Sequence, residues 1–266
     1  VTNDANLVSQ HSSGSTADDP ADGWFPESIA YDYDGDTGEF DPAVVARTVG
    51  VLADLAGKGR ALELAVGTGR LAAPLAERGV PVHGIELSRA MAARIAGKPG
   101  AERVTVTIGD MTTTRVPGEF TLAYLVFNTI NNVVTQEGQT ACFVNAAAHL
   151  APGGTFVVEV GVPDLRLLPP GQDTVPFTVA PDSEGGGYVG FDRYDVVTQY
   201  FTSNHVRVSP EGAGRFWSIP FRYVWPSELD LMARLAGMRL RHRWAGWDRS
   251  PFTAESRKHV SVWEKA

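Results

Sequence analysis

Short apolar runs alternate with helix-length amphipathic stretches through residues 41–160 of this 266-residue chain. The runs at 61–65, 80–85, 104–108, 122–127 and 155–160 are too short for helices and are rich in Val, Ile and Leu, so they predict strands. Most lack a polar alternate position, as in a sheet covered on both faces. The stretches at 41–56, 70–78, 89–96 and 136–150 predict helices. The first opens on Asp41-Pro42, a capping carboxylate before a proline that cannot donate, and carries Val44, Val45, Val49, Leu52 and Leu55 on one stripe. The last ends at Pro152-Gly153-Gly154. Strand and helix alternate at a spacing that suits right-handed crossovers, which predicts an open α/β sheet covered by helices.

The pattern changes after Val162. Prolines and glycines crowd 163–187, and β-compatible runs follow at 188–194, 196–201, 205–208 and 215–221. They predict antiparallel hairpins, so residues 163–225 read as an insertion standing over the sheet, not as an independent domain. A helix over 226–236 and closing strands at 240–247 and 259–264 complete the chain. Residues 1–23, rich in Ser, Asp, Asn and Gly, predict a disordered tail, which leaves 24–266 as one domain. Trp24, Phe25, Ile29, Tyr31 and Tyr33 form an aromatic cluster that either pins the segment or covers a ligand mouth.

Charge narrows the partners. The chain has 23 basic and 31 acidic residues, a formal −8, and no long Lys/Arg run, so a nucleic-acid partner is disfavoured. No apolar run approaches the length of a membrane span and no signal peptide is evident, so the expectation is a cytoplasmic protein without a membrane partner. Composition leaves monomer and homodimer open. Cys142, the only cysteine, lies in an apolar helical pattern and reads as a buried structural thiol. No His, Cys, Asp or Glu spacing suits a metal, so none is expected.

The candidate chemistry lies in ALELAVGTGRLAAPLAERGVPVHGIELS, residues 61–88. Gly67 and Gly69 follow the first strand, where small residues let a backbone loop approach a ligand. Glu86 ends the second strand, where a carboxylate can accept bonds from a ribose diol. Asp110 and Met111 follow the third. A phosphate-binding loop would need Lys-Ser or Lys-Thr after the glycines, and the chain has Arg70-Leu71. A nicotinamide dinucleotide fits the glycines, yet its pyrophosphate gains nothing from Glu63 inside strand one. The sulfonium and ammonium groups of S-adenosylmethionine do gain.

The motifs LELAVGTGR, VHGIELS, IGDM, YLVFNTINNV and LAPGGTFVVEV resemble those of the class I S-adenosylmethionine-dependent methyltransferases, particularly the actinobacterial small-molecule enzymes. The resemblance covers roughly 45–162. It implies a Rossmann-like sheet with an antiparallel β lid after strand five, and S-adenosylmethionine as cofactor. It further implies that Glu63 and the loop of Ala65, Val66, Gly67, Thr68, Gly69 and Arg70 surround the methionine portion, with Tyr33 nearby. Glu86 and Leu87 would hold the ribose, Asp110 and Met111 the adenine, and Phe127 and Asn128 would lie near the methyl group. Members usually carry Gly where this chain has Ala65. A negative φ there would admit the methyl side chain, and the expectation is a slightly reshaped loop.

The acceptor side is less defined. Asn128, His205, Trp217, Arg222 and Tyr223 are the candidates for positioning a small-molecule substrate, each with a packing or turn role as the simpler account. No general base stands out. The acidic, aromatic lid favours a nitrogen acceptor, with O- or C-methylation of a natural-product scaffold as the alternative. A non-catalytic S-adenosylmethionine-binding regulator is the remaining alternative.

Overall fold

The computed structural model describes residues 41–181 and 185–266. The tail at 1–23 and the aromatic cluster that includes Tyr33 lie outside the described residues. The described chain opens with helix α1 (Pro42–Ala56), capped by Asp41, whose carboxylate accepts the Ala43 N–H at 2.7 Å. There follow β1 (Ala61–Leu64), α2 (Ala72–Glu77), β2 (Val82–Glu86), α3 (Arg89–Ala93), β3 (Val104–Ile108), β4 (Phe120–Leu125), α4 (Gln136–His149) and β5 (Leu150–Gly161). Four strands then form a separate sheet: β6 (Thr174–Pro181), β7 (Gly187–Asp195), β8 (Tyr200–Val208) and β9 (Gly214–Arg222). Helix α5 (Pro226–Leu235) and strands β10 (Met238–Trp244) and β11 (Lys258–Lys265) return the chain to the main sheet.

The main sheet has the order β10-β11-β5-β4-β1-β2-β3, parallel throughout β5 to β3, with β11 antiparallel to both neighbours. Its two faces bury separate clusters. Leu62, Leu64, Phe143, Phe156 and Trp263 pack on the α4 and α5 side. Val49, Leu52, Leu75, Tyr124 and Val157 pack on the α1 and α2 side. All four residues of β1 are buried, as the unbroken apolar pattern predicts for a central parallel strand. Strand order reverses between β1 and β4, so a crevice opens at their carboxyl ends.

Three expectations need correction. Strand β5 begins at Leu150 and runs through Pro152-Gly153-Gly154, because a register shift opposite Phe120 absorbs the extra residues. Residues 196–199 form a turn, not a strand. Asp195 accepts the Val197 N–H and the Thr198 hydroxyl, and Gln199 takes a φ of 62°, so the β-branched run is overridden by local side-chain bonds. Strand β6 was hidden by Pro176 and Pro181; it is an edge strand, where prolines are tolerated.

Candidate active site

Backbone strain marks the crevice. Of five non-glycine residues with positive φ among those described, three lie at the ends of β1 and β4: Ala65 at 54°, Phe127 at 56° and Asn128 at 61°. Such residues cost energy and persist where the surroundings hold them, commonly at functional sites. The negative φ anticipated at Ala65 is therefore incorrect. The loop turns left-handed there with alanine in place of glycine. At Phe127 and Asn128 the turn is held from β5: the Glu159 carboxylate accepts the Phe127 N–H at 3.3 Å, and the Asn128 side-chain oxygen accepts the Gly161 N–H at 2.7 Å. Glu159 is itself paired with Lys258 at 3.1 Å.

A cavity of about 390 Å³ opens beside this crevice, lined by Ala65, Glu86, Leu87, Asp110, Met111, Thr129 and Asn132 among others. The carboxylate of Glu86 is buried and already shaped for recognition. One oxygen accepts the Gly67 N–H at 2.7 Å and the other the Ser88 N–H at 2.9 Å. One Asp110 oxygen is taken by the Thr112 backbone and hydroxyl, both at 2.7 Å, which fixes the carboxylate at the rim. Ile85, Leu87, Met111, Val133 and Val134 supply apolar walls suited to a flat ring. The glycine loop is pressed close: a Cβ on Gly84 would meet Val66 at 2.6 Å, so bare backbone in β2 lets the loop lie across it.

Glu63 is not in that cavity. It points to the α2 side, where the Tyr124 hydroxyl donates to it at 2.8 Å and the Ala72 N–H also reaches it. Burial raises its pKa to about 8, against the opposing pull of Tyr124 and Arg70. A neutral carboxyl beneath the loop braces it. Its bond to Tyr124 keeps Glu63 off the wall of that cavity. Gly67, Thr68, Gly69 and Arg70 form the loop behind the cavity wall, and the Arg70 guanidinium lies 5.4 Å from the Phe127 ring centre.

A second cavity, about 420 Å³, lies between the strained turn and the inserted sheet. Asn128, Asn131, Gly161 and Asp164 form one side, and Asp192, Tyr194, Phe201, Phe221 and Tyr223 the other. Of the acceptor-side candidates, Asn128 and Tyr223 line it. The other three do not. Arg222 faces away and is buried, bonded to Glu228 at 2.7 Å, to Gln199 at 3.2 Å and to Gln139. Its guanidinium fastens the second sheet to α4 and α5. His205 and Trp217 stack with ring centres 5.0 Å apart, beside Tyr188 and further along the sheet. Asp192 was missed. In FDRYD it resembles an ordinary solvent-facing alternate, but its parity matches Tyr188 and Tyr194, and an acid on an aromatic face was the available signal.

A methyltransferase domain model matches residues 61–154. The chain is 33% identical to the CcbJ methyltransferase of Streptomyces caelestis, covering 90% of this chain and 96% of that one, with a TM-score of 0.78. The chain belongs to the class I S-adenosylmethionine-dependent methyltransferases. A cypemycin N-terminal methyltransferase from a Streptomyces species is 26% identical over 210 residues, covering 77% of this chain and 82% of that protein. The fold is shared with S-adenosylmethionine-bound CalS10, an amino pentose methyltransferase of Micromonospora echinaspora, at 20% identity and a TM-score of 0.64, over 90% of this chain and 96% of that one.

The residues of this methyltransferase suit its cofactor. Two carboxylates at strand ends, apolar walls and a tight backbone loop match a molecule with a diol, a flat base and a cationic tail. Cys142 is buried, with its thiol pushed up to about 12, which keeps it inert. No helix among the described residues is long and apolar enough to cross a membrane, and no cluster of ligand-type side chains among them could hold a metal ion.

Proposed function

We propose that this enzyme methylates a nitrogen atom of a small-molecule amine. The observation that carries the reading is the second cavity: aromatic rings and two carboxylates, Asp164 and Asp192, lie beside the turn that borders the cofactor cavity. Aromatic faces and carboxylates favour a cation over a neutral group of the same size, and Arg257 on the same cavity lies in the field of Asp164. The cypemycin N-terminal methyltransferase, by its name, modifies an amine, and its likeness to this chain supports the same reading.

S-adenosylmethionine supplies, when bound, a methyl group on positively charged sulfur. Glu86, with Asp110 and Met111, would hold the ribose and base, and the Gly67–Gly69 loop would hold the methionine end. The inserted sheet acts as a lid: Tyr194, Phe201, Phe221 and Tyr223 exclude water and fix the acceptor nitrogen against the turn at Phe127 and Asn128. Nitrogen's lone pair forms the new C–N bond as the C–S bond breaks, its electron pair staying on sulfur. The N–H proton leaves the product ammonium, so alignment and a proton acceptor are what the protein must provide.

Purified full-length protein with S-adenosylmethionine should release S-adenosylhomocysteine with amino sugars or peptides bearing a free N-terminus, and stay inactive with their matched hydroxyl analogues. Methylation of the hydroxyl compounds alone would overturn the nitrogen assignment.

A further inference from the structure

Two oxygens on the wall of the second cavity lack a hydrogen-bond donor among the described residues: Oδ1 of Asp192 and Oδ1 of Asn131. A buried acceptor left bare costs on the order of 1–3 kcal/mol, so two in one cavity call for a ligand that donates hydrogen bonds. The other oxygen of Asp192 takes the Tyr194 hydroxyl at 3.4 Å, and the Ser203 side chain lies beside the carboxyl group. No basic side chain among the described residues pairs with Asp192. By contrast, Asp164 on the facing wall holds Arg166 at 2.7 Å and lies in the field of Arg257. Asp192 is thus the carboxylate whose charge is left for a guest.

Aromatic rings surround it. Tyr194 and Phe201 are stacked with centres 5.1 Å apart, as are Phe201 and Phe221, and Tyr223 closes the row beside Phe201 at 6.5 Å. Such a wall favours a cation over a neutral group of the same size. Resting on the reading that nitrogen is the acceptor atom, we propose that Asp192, aided by Asn131, binds the substrate ammonium and takes its proton, selecting aliphatic amines over alcohols.

The carboxylate has somewhere to pass the proton. Ser203 lies opposite Asp192 on β8 and approaches His205 Nε2 at 3.3 Å, and His205 Nδ1 lies 2.6 Å from the Tyr188 hydroxyl. Burial lowers the His205 pKa, which leaves a neutral ring able to donate from one nitrogen and accept at the other. Asp192, Ser203, His205 and Tyr188 therefore form a line of exchangeable groups along the inner face of the sheet. The titratable and charged groups about Asp192 are Tyr194 on its own strand, His205 on β8, Tyr223 after β9, and Asp164 and Arg257 from the main-sheet side. Burial raises the Asp192 pKa, which brings the acid closer to an amine and eases the transfer. In the step, the ammonium N–H proton moves to the Asp192 carboxylate, and the freed lone pair makes the C–N bond while the C–S pair stays on sulfur.

The test compares wild type with Asp192→Asn, using full-length protein, S-adenosylmethionine and an amine that wild type methylates. Asp192→Asn should lose about tenfold to a hundredfold in kcat/KM, the loss expected for a charge-assisted hydrogen bond. The rising limb of its pH profile should move up toward the pKa of the free amine, because the variant must wait for solvent to deprotonate it. Tetramethylammonium should compete with the amine in wild type and do so at least about tenfold more weakly in the variant. Asp192→Glu should recover part of both effects. Unchanged S-adenosylmethionine affinity shows that the variant is folded. Asp192→Asn with wild-type kcat/KM and pH limb overturns the role of Asp192 while leaving N-methylation standing. Should Asp192→Asn fail to fold, a wild-type enzyme insensitive to tetramethylammonium overturns it by itself. An enzyme that methylates only hydroxyls overturns both readings.

Discussion

Replacing Ala65 with glycine tests whether the left-handed turn after β1 is strained as the structure shows. An L-residue with a side chain at φ 54° pays for the clash between Cβ and its own carbonyl, about 1–2 kcal/mol. Glycine removes that clash but adds about 0.4–1 kcal/mol of chain freedom to the unfolded state. The difference predicts that Ala65→Gly stabilises the fold by about 0.5–1 kcal/mol, a rise of roughly 2 °C in Tm for a chain of this size. Ala65→Val should be far worse, since a β-branched side chain tolerates positive φ poorly. Both are measured by thermal and urea unfolding, with calorimetric titration of S-adenosylmethionine alongside. Because the backbone angle belongs to the loop itself, the gain should appear in stability and leave cofactor affinity largely unchanged. A lowered Tm for Ala65→Gly, or equal tolerance of glycine and valine, would refute the strain argument.

Three other substitutions probe separate claims. Glu86→Ala should weaken S-adenosylmethionine binding about tenfold to a hundredfold by titration, since it removes two acceptors and frees the Gly67 N–H; an unchanged Kd removes Glu86 from the cofactor site. Arg222→Met should cost about 1–3 kcal/mol, because the partly buried Glu228 loses its ion partner and Gln139 and Gln199 lose a donor, and a Tm within a degree of wild type would contradict the fastening role. Glu63 has a folded pKa near 8, above its unfolded value of 4.5, so the folded state holds the extra proton between those values. Stability supplied by the protonated form is then complete below the unfolded value and falls as pH rises toward 8, at up to about 1.4 kcal/mol per pH unit. Glu63→Gln should flatten that fall in urea midpoints measured from pH 5 to pH 8, and parallel curves for the two proteins would defeat the assignment.

The α/β alternation, the crevice and the cavity acids were legible because they depend on short-range pattern. Glu86 and Asp110 each close a strand, and a parallel strand's carboxyl end can only face the crevice. Glu63 lies inside a strand, and its partners Tyr124 on β4 and the Ala72 N–H of α2 come from other elements, so its bonding could not be read from β1. Arg222 shows the same limit: alternation separated it from Phe221 and Tyr223, but only the arrival of Gln139, Gln199 and Glu228 reveals which face is the interior one. The turn at 196–199 and the proline-bearing edge strand misled for another reason. Residue preference is weak there beside the local bonds of Asp195 and the freedom of an edge.

The second sheet leaves and rejoins the body at neighbouring points, since Val162 and Trp225 border one small cavity. A segment inserted through adjacent stems can be exchanged without rethreading the host. On the proposed reading, the grip on the methyl donor is written between 61 and 132, whereas most of the wall around the acceptor is written between 161 and 223. Acceptor preference is thus free to drift, or to be transplanted between relatives, on a module of its own. The graft carries one compatibility condition: Arg222 travels with the insert, so the recipient must already offer counterparts of Gln139 and Glu228.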